Sequence, residues 1–183
     1  AESGVTIQVE SSVGGAGARL ALEDKRLDGA IMVTKSSSPL SPGCEAIAHT
    51  PVVIAIGPTI KARDLSTTSL VEIIAGTSKR WLSGVQKKFI LRTENDPVQR
   101  IYGDKESPLS GVLSAALAAR RWPIVYPIDD PAQRISIRPG AVGFAMLGNL
   151  RLRGIPVWTT QLSDYPAPRL DIQLCTKSRT KKA

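Results

Sequence analysis

Residues 51–81, PVVIAIGPTIKARDLSTTSLVEIIAGTSKRW, hold the two elements whose succession decides the fold class. The run 51–57 is apolar and rich in β-branched side chains, which makes it the strongest strand signal in the chain. After a short loop, Ser69 with Glu72 three residues later reads as a capping box. Leu70, Ile73 and Ile74 then share one helical face, and Gly76 stands where a left-handed C-terminal residue belongs. Trp81 follows and is expected to close over that apolar face. A buried strand feeding an amphipathic helix is the repeating unit of an α/β protein.

The same alternation extends in both directions. Upstream, 5–10 (VTIQVE) reads as a strand, 11–17 (SSVGGAG) as a glycine-rich loop, 18–27 as a helix carrying Leu20, Leu22 and Leu27, and 29–34 (GAIMVT) as a buried strand. A serine- and proline-rich loop, 35–43 (KSSSPLSPG), separates this strand from 51–57. Downstream, 88–92 (KFILR) reads as a strand, and three helices are expected to open with a cap residue followed by proline, at Asp96-Pro97, Ser107-Pro108 and Asp130-Pro131. The second of these helices, 108–121, is rich in Ala and Leu. Strands are expected at 124–126, at 141–145 after the turn Pro139-Gly140, at 155–159 and at 170–176. No internal repeat and no low-complexity linker interrupts the series. Two lobes would therefore be joined by strands that pass between them.

Composition removes several classes of function. The chain has 183 residues, 42% hydrophobic and 22% charged, enough for one domain or two small lobes and too apolar for intrinsic disorder. No apolar run reaches the roughly 18 to 20 residues of a membrane span. The N-terminus AESGVTIQVE lacks the regions of a signal peptide, so the expectation is a soluble chain from which any export signal has been removed. Cys44, Cys175 and His49 are the whole Cys and His inventory, too scattered for a zinc site. The two cysteines fit either a reduced protein or one long-range disulfide in an oxidising compartment, and the sequence leaves both open.

Twenty-four Lys and Arg against 16 Asp and Glu give a net charge of +8. Four of those cations (Lys177, Arg179, Lys181, Lys182) sit in the tail KSRTKKA, which reads as a disordered end. The aromatics are dispersed, with no base-stacking cluster and no basic helix, so nucleic-acid binding is disfavoured, and the excess charge fits phosphate, a membrane surface or solubility alone. No nucleophile elbow, kinase motif or metal spacing appears, Asp96 and Asp130 are accounted for as helix caps, and a Ser-His-Asp triad would have to run through His49 alone. Nothing in these residues demands catalysis or a cofactor.

Three loops are candidates for binding. In 11–17, backbone N–H groups at a helix start, beside the Ser11 and Ser12 hydroxyls, would make an anion site; a tight turn is the competing reading. In 35–43, one ammonium and several hydroxyls follow a strand expected to be parallel, at the end where open α/β sheets bind ligands; a solvated surface loop is the competing reading. Arg92, closing the strand 88–92, would fork onto an oxyanion or pair with Glu94 or Asp96.

Three segments carry a resemblance to a known family: 4–40 (GVTIQVESSVGGAGARLALEDKRLDGAIMVTKSSSPL), 64–81 (DLSTTSLVEIIAGTSKRW) and 139–150 (PGAVGFAMLGNL). The second is the most specific, matching at Leu65, Leu70, Ile73, Gly76 and Trp81. Together they resemble phosphate-type periplasmic solute-binding proteins of ABC transporters. The resemblance implies a two-lobed type 2 periplasmic-binding-protein fold with crossover hinge strands, divided into residues 1–54 with 157–183 and residues 55–156. It also implies a non-catalytic chain outside the cytoplasm that delivers phosphate or a related oxyanion to a membrane permease.

By position in these motifs, the ligand would be held by Ser11, Ser12, Gly14 and Gly15, by Thr34, Lys35 and Ser36, and by Arg92 and Thr93. Ser12 stands where the family's loop serine contacts ligand, and Arg92 where its cleft arginine does. The chain departs from the family at Asp96-Pro97-Val98, where a Ser-Gly-Thr would open a helix onto the phosphate, and at Thr34-Lys35, where an acidic ligand residue is usual. These departures favour an alternative in which the same fold serves as a sensor or interaction domain. Family members also begin with a strand and helix before the segment at Val5 and end with a helix after Thr176. Without those pieces, an uncovered sheet edge would invite self-association.

Overall fold

The structure is a computed structural model, and it describes residue 8 and residues 14–36, 38–60, 64–126 and 130–176. The expected strand 5–10, the hydroxyls of Ser11 and Ser12 and the basic tail 177–183 lie outside the described residues.

Strand β2 (Cys44–Ile56) organises the molecule. Its second half, Val52 to Ile56, is the apolar run seen in the sequence and is fully buried, whereas residues 45–49 are exposed. That exposure is why the sequence showed only half of a thirteen-residue strand. The first half pairs antiparallel with β7 (Arg169–Thr176), with an irregularity at Ala46/Ala48, and β7 pairs antiparallel with β1 (Gly29–Lys35). The second half pairs with β5 (Ala141–Met146) on one side and with the short β6 (Trp158–Thr160) on the other. Beyond β5 the sheet continues in parallel register through β3 (Lys88–Arg92) to β4 (Ile124–Val125), so the order is β1-β7-β2-β5-β3-β4.

Among the described residues β1 pairs antiparallel, with β7, so the pairing seen for the strand that feeds the serine-rich loop is not the parallel one expected. The expected strand 155–159 is likewise reduced to β6.

Helix boundaries follow from their caps. α2 (Thr67–Ala75) is capped by Ser66, whose Oγ accepts from the Ser69 N–H at 3.1 Å, so the proposed Ser69/Glu72 capping box is displaced by a serine one turn earlier. At the other end Gly76 takes φ 73°, the left-handed geometry that closes a helix without strain at a residue lacking Cβ. α3 (Pro97–Gly103) and α5 (Pro131–Ser136) open on Asp96 and Asp130 followed by proline, as read from the sequence.

The third such start is different. Ser107 caps a turn by accepting from the Leu109 N–H at 3.2 Å, and α4 (Ser110–Ala118) begins only after it. α1 (Gly14–Glu23) starts earlier than expected: Gly14 and Gly15 form its first turn rather than a loop. α6 (Leu147–Arg153) ends on Gly154 in left-handed geometry.

The main core brings Leu70, Ile73 and Ile74 of α2 against Phe89, Leu91, Val142, Phe144 and the buried half of β2, with Trp81 packed on the same cluster. Trp81 also donates its indole N–H to the Gly140 carbonyl at 3.1 Å. Gly140 itself admits no side chain, because a Cβ there would lie 2.0 Å from the Gln86 carbonyl oxygen. A second cluster on the opposite face gathers Val53, Ile90, Ile135 and Leu150. At the far end of β2, Cys44 and Cys175 are cross-strand partners joined by a disulfide that spans 131 residues of sequence.

Candidate cleft between the two halves of the sheet

A cleft of about 1170 Å³ opens where the β1-β7 half of the sheet faces the elements built on β3. One wall is made by Arg19 of α1, by Val33, Thr34 and Lys35 at the end of β1, by Ser38, Pro39 and Ser41 of the serine-rich loop, and by Gln173 of β7. The other is made by Thr93, Glu94 and Asn95 beyond β3, by Gln99, Arg100, Ile101 and Gly103 along α3 with Asp104 at its end, and by Leu113, Leu117, Ile124 and Tyr126. Arg19, Lys35, Arg100 and Lys105 face two carboxylates, Glu94 and Asp104, so the lining carries an excess of positive charge.

The structure distributes the residues singled out from sequence unevenly. Thr34, Lys35 and Thr93 line the cleft. Thr34 Oγ1 accepts a hydrogen bond from Gln173 Nε2 at 2.7 Å, and the Lys35 ammonium crosses to the Asp104 carboxylate. That contact holds the Asp104 carboxyl below the usual carboxylate range and raises Lys35 above its own, mainly through the hydrogen bond they share. Ser36 turns out of the cleft and donates its hydroxyl to Asp171. Gly14 and Gly15 lie in the first turn of α1.

Arg92 takes the second of its two sequence readings and pairs with Asp96. It is buried, its Nε stands 2.8 Å from Asp96 Oδ1, and its Nη1 donates to the Phe144 carbonyl at 3.3 Å. The same Asp96 carboxylate accepts from the Val98 N–H at 2.8 Å, so one side chain caps α3 and neutralises the arginine before it. Arg92 is not among the residues lining the cleft.

Gln99 was not anticipated. Its side chain is buried, with the residue 2% exposed; its Oε1 accepts from the Arg92 N–H at 3.2 Å, and its Nε2 has no partner among the described residues although it belongs to a cleft-lining residue. A buried amide donor left unpaired is costly, and such groups are rare in folded proteins. The sequence signal was faint: a polar residue between Val98 and Ile101, at a buried register of a capped helix.

Outside the cleft, Ser36, Asp171 and His49 form a second polar cluster. Asp171 Oδ1 receives the Ser36 hydroxyl and lies 2.7 Å from His49 Nδ1. The Ser36 bond first, then the His49 contact, hold the Asp171 carboxyl below its ordinary value against the opposing effect of burial. The carboxylate stands between the other two groups, whereas a nucleophilic triad needs the imidazole there. Among the described residues no group of three His, Cys, Asp or Glu is placed to hold a metal ion, and no helix is long and apolar enough to cross a membrane.

Neither a family model nor a curated protein sequence matches this chain. Solved structures do. PstS from Borrelia burgdorferi is 16% identical and matches 93% of this chain over 76% of its own, with a TM-score of 0.54. A putative phosphate ABC transporter substrate-binding protein from Clostridium perfringens, solved with bound phosphate, is 12% identical and matches 91% over 72%, with a TM-score of 0.63. CbnR, a LysR family transcriptional regulator, is 11% identical and matches 93% over 53%, with a TM-score of 0.51. The chain therefore has the type 2 periplasmic-binding-protein fold. That fold is shared by phosphate-binding proteins of ABC transporters and by LysR-type regulators.

Proposed function

We propose that this chain captures a small anion in the cleft and serves as the substrate-binding component of an ABC-type transporter. The observation that carries the reading is the lining itself: four cationic side chains against two carboxylates, with the unpartnered Gln99 amide among them. Charge of one sign focused in a cleft attracts a ligand of the other, and an unpaired buried donor is satisfied when an acceptor arrives. The fold supports the transport role, since substrate-binding proteins for phosphate share it.

In this reading residues 1–54 with 157–183 form one lobe and residues 55–156 the other, and β2 with the segment after β6 is the hinge between them. Thr34, Lys35, Thr93, Gln99, Arg100 and Lys105 make up the ligand-binding set. The disulfide between Cys44 and Cys175 supports an oxidising compartment outside the cytoplasm.

A second reading, in which the cleft belongs to a ligand-sensing domain, is favoured by the match to CbnR. Calorimetric titration of orthophosphate, sulfate and small carboxylates at low and high salt tests the first. Micromolar binding of at least one anion that survives high salt is expected, and no heat from any of them would overturn anion capture. Ligand-dependent association in light scattering would favour the sensing domain over transport.

A further inference from the structure

Between α2 and β3 the chain makes a braced turn whose tip is apolar. The Lys87 N–H donates to the Lys79 carbonyl at 2.9 Å, the Trp81 N–H to Val85 at 2.8 Å and the Gly84 N–H to Trp81 at 2.8 Å. The Arg80 guanidinium closes the turn on the Gly84 carbonyl at 2.9 Å, and Gly84 takes the left-handed φ of 81° that the reversal needs. Leu82 is thereby held wholly in water, next to Trp81, which is packed on the core. Single exposed apolar residues are common; this one stands at the tip of a hydrogen-bonded turn with cations on both sides.

Those cations are Lys79 and Arg80 before the tip and Lys87 and Lys88 after it. No Asp or Glu occurs anywhere in 73–93. Among the described residues none of the four is in a salt bridge; Lys87 lies over the Trp81 ring at 5.0 Å and bonds the Ser78 hydroxyl at 2.5 Å. The neighbouring elements at this end of the sheet continue the pattern. Ala141 is the register partner of Lys88, and the segment 131–163 that contains it also has no acidic residue. Trp158, paired with Ile56 at the end of β2, is half exposed, and Ile137 is exposed three residues before Gly140.

We propose that this turn is a membrane-docking element: Leu82 enters the interfacial region of a bilayer, and Lys79, Arg80, Lys87 and Lys88 meet its acidic headgroups. A nucleic-acid backbone would answer the charge and leave Leu82 in water, whereas an acidic leaflet answers both. β3 begins at Lys88 beside this turn and ends at Arg92, next to the cleft-lining Thr93. Docking and the cleft therefore sit at opposite ends of one strand, and the proposal does not depend on what the cleft binds.

The test is co-sedimentation of the full chain with vesicles of phosphatidylcholine alone and with about one-third phosphatidylglycerol added, for the wild type, Leu82→Ser and the double variant Lys79→Gln/Lys88→Gln. Leu82 is wholly exposed and the Lys79 and Lys88 side chains make no salt bridge among the described residues, so none of these changes removes a core contact. The wild type is expected to bind the acidic vesicles at least about tenfold more tightly than the neutral ones. The lysine variant should lose about tenfold or more, at roughly fivefold per cation, and Leu82→Ser about fivefold or more with its charge unchanged. The basic tail is present in every variant, so losses relative to the wild type read the turn. Absence of binding to acidic vesicles, or binding that neither variant weakens, overturns the proposal. A loss in the lysine variant with none in Leu82→Ser overturns insertion of the tip. A DNA duplex bound as tightly as the acidic vesicles, and lost in the lysine variant, overturns the bilayer as the partner.

Discussion

Arg92 Nε stands 2.8 Å from Asp96 Oδ1, four residues further on, with both side chains buried at the end of β3. This pair converts the most attractive anion-binding arginine of the sequence into an internal support. Removing one partner of a buried pair leaves the other charged and unsolvated, at a cost of about 3–5 kcal/mol. Asp96→Ala should lower the unfolding free energy by that amount in urea titrations. Asp96→Asn, which keeps the cap oxygen, should recover only the cap's share of roughly 1 kcal/mol. A loss below about 1 kcal/mol for Asp96→Ala would mean that the pair is solvated and that the cap alone matters.

The Lys35–Asp104 contact bridges the two walls of the cleft and sets its charge. Lys35→Ala removes a cation and also releases the Asp104 carboxylate to repel an incoming anion. Affinity for the bound anion should fall more than about tenfold, and adding Asp104→Ala should restore most of it, a non-additivity expected of groups in direct contact. Equal affinities across the wild type and both variants would remove this pair from the site.

Asp171 makes a pH prediction whose sign follows from its lowered pKa. A carboxyl held below its unfolded value, about 3.9, stabilises the fold above that pH and loses the contribution as pH falls through the folded pKa. Ser36→Ala removes the largest cause of the depression. The stability gap between wild type and Ser36→Ala should therefore be widest near neutrality and shrink below about pH 4 in denaturant titrations. A gap independent of pH would show that the serine acts through packing alone.

The disulfide closes a loop of 131 residues between Cys44 and Cys175. Reduction, or replacement of both cysteines by alanine, should cost about 2–5 kcal/mol. Thermal unfolding with and without reductant measures this, and thiol titration of the native protein should find no free cysteine. An unchanged midpoint after verified reduction would mean that the β2-β7 ladder holds that end unaided.

What the sequence disclosed was local. The α/β order, the proline-preceding caps Asp96 and Asp130 and the terminating Gly76 each depend on a few neighbouring residues, and the structure has all of them. The serine-rich loop also came out as a wall of the cleft, through Ser38 and Ser41. What escaped depended on residues far away. The exposed half of β2 is a strand because β7 pairs with it across more than a hundred positions, and nothing within 45–49 announces it. Lys35 finds Asp104 at a separation of 69 residues, so its engagement could not be read from the loop that carries it. Ser69 and Glu72 had the capping-box spacing, yet Ser66 stood three residues earlier and took the N-cap.

The placement of β7 has a consequence for how this protein is made. Among the described residues, β1 and the first half of β2 pair only with β7, residues 169–176, more than a hundred positions further along the chain. On the ribosome, these two strands must wait for that distant segment to emerge. The elements between β3 and α6 can meanwhile assemble around their own buried cluster. Pairings this distant in sequence are slow, and edges left open meanwhile are prone to aggregate. Nascent chains stalled before residue 169 should therefore keep Cys44 open to alkylation, and the emergence of β7 is the step at which one wall of the cleft comes into being.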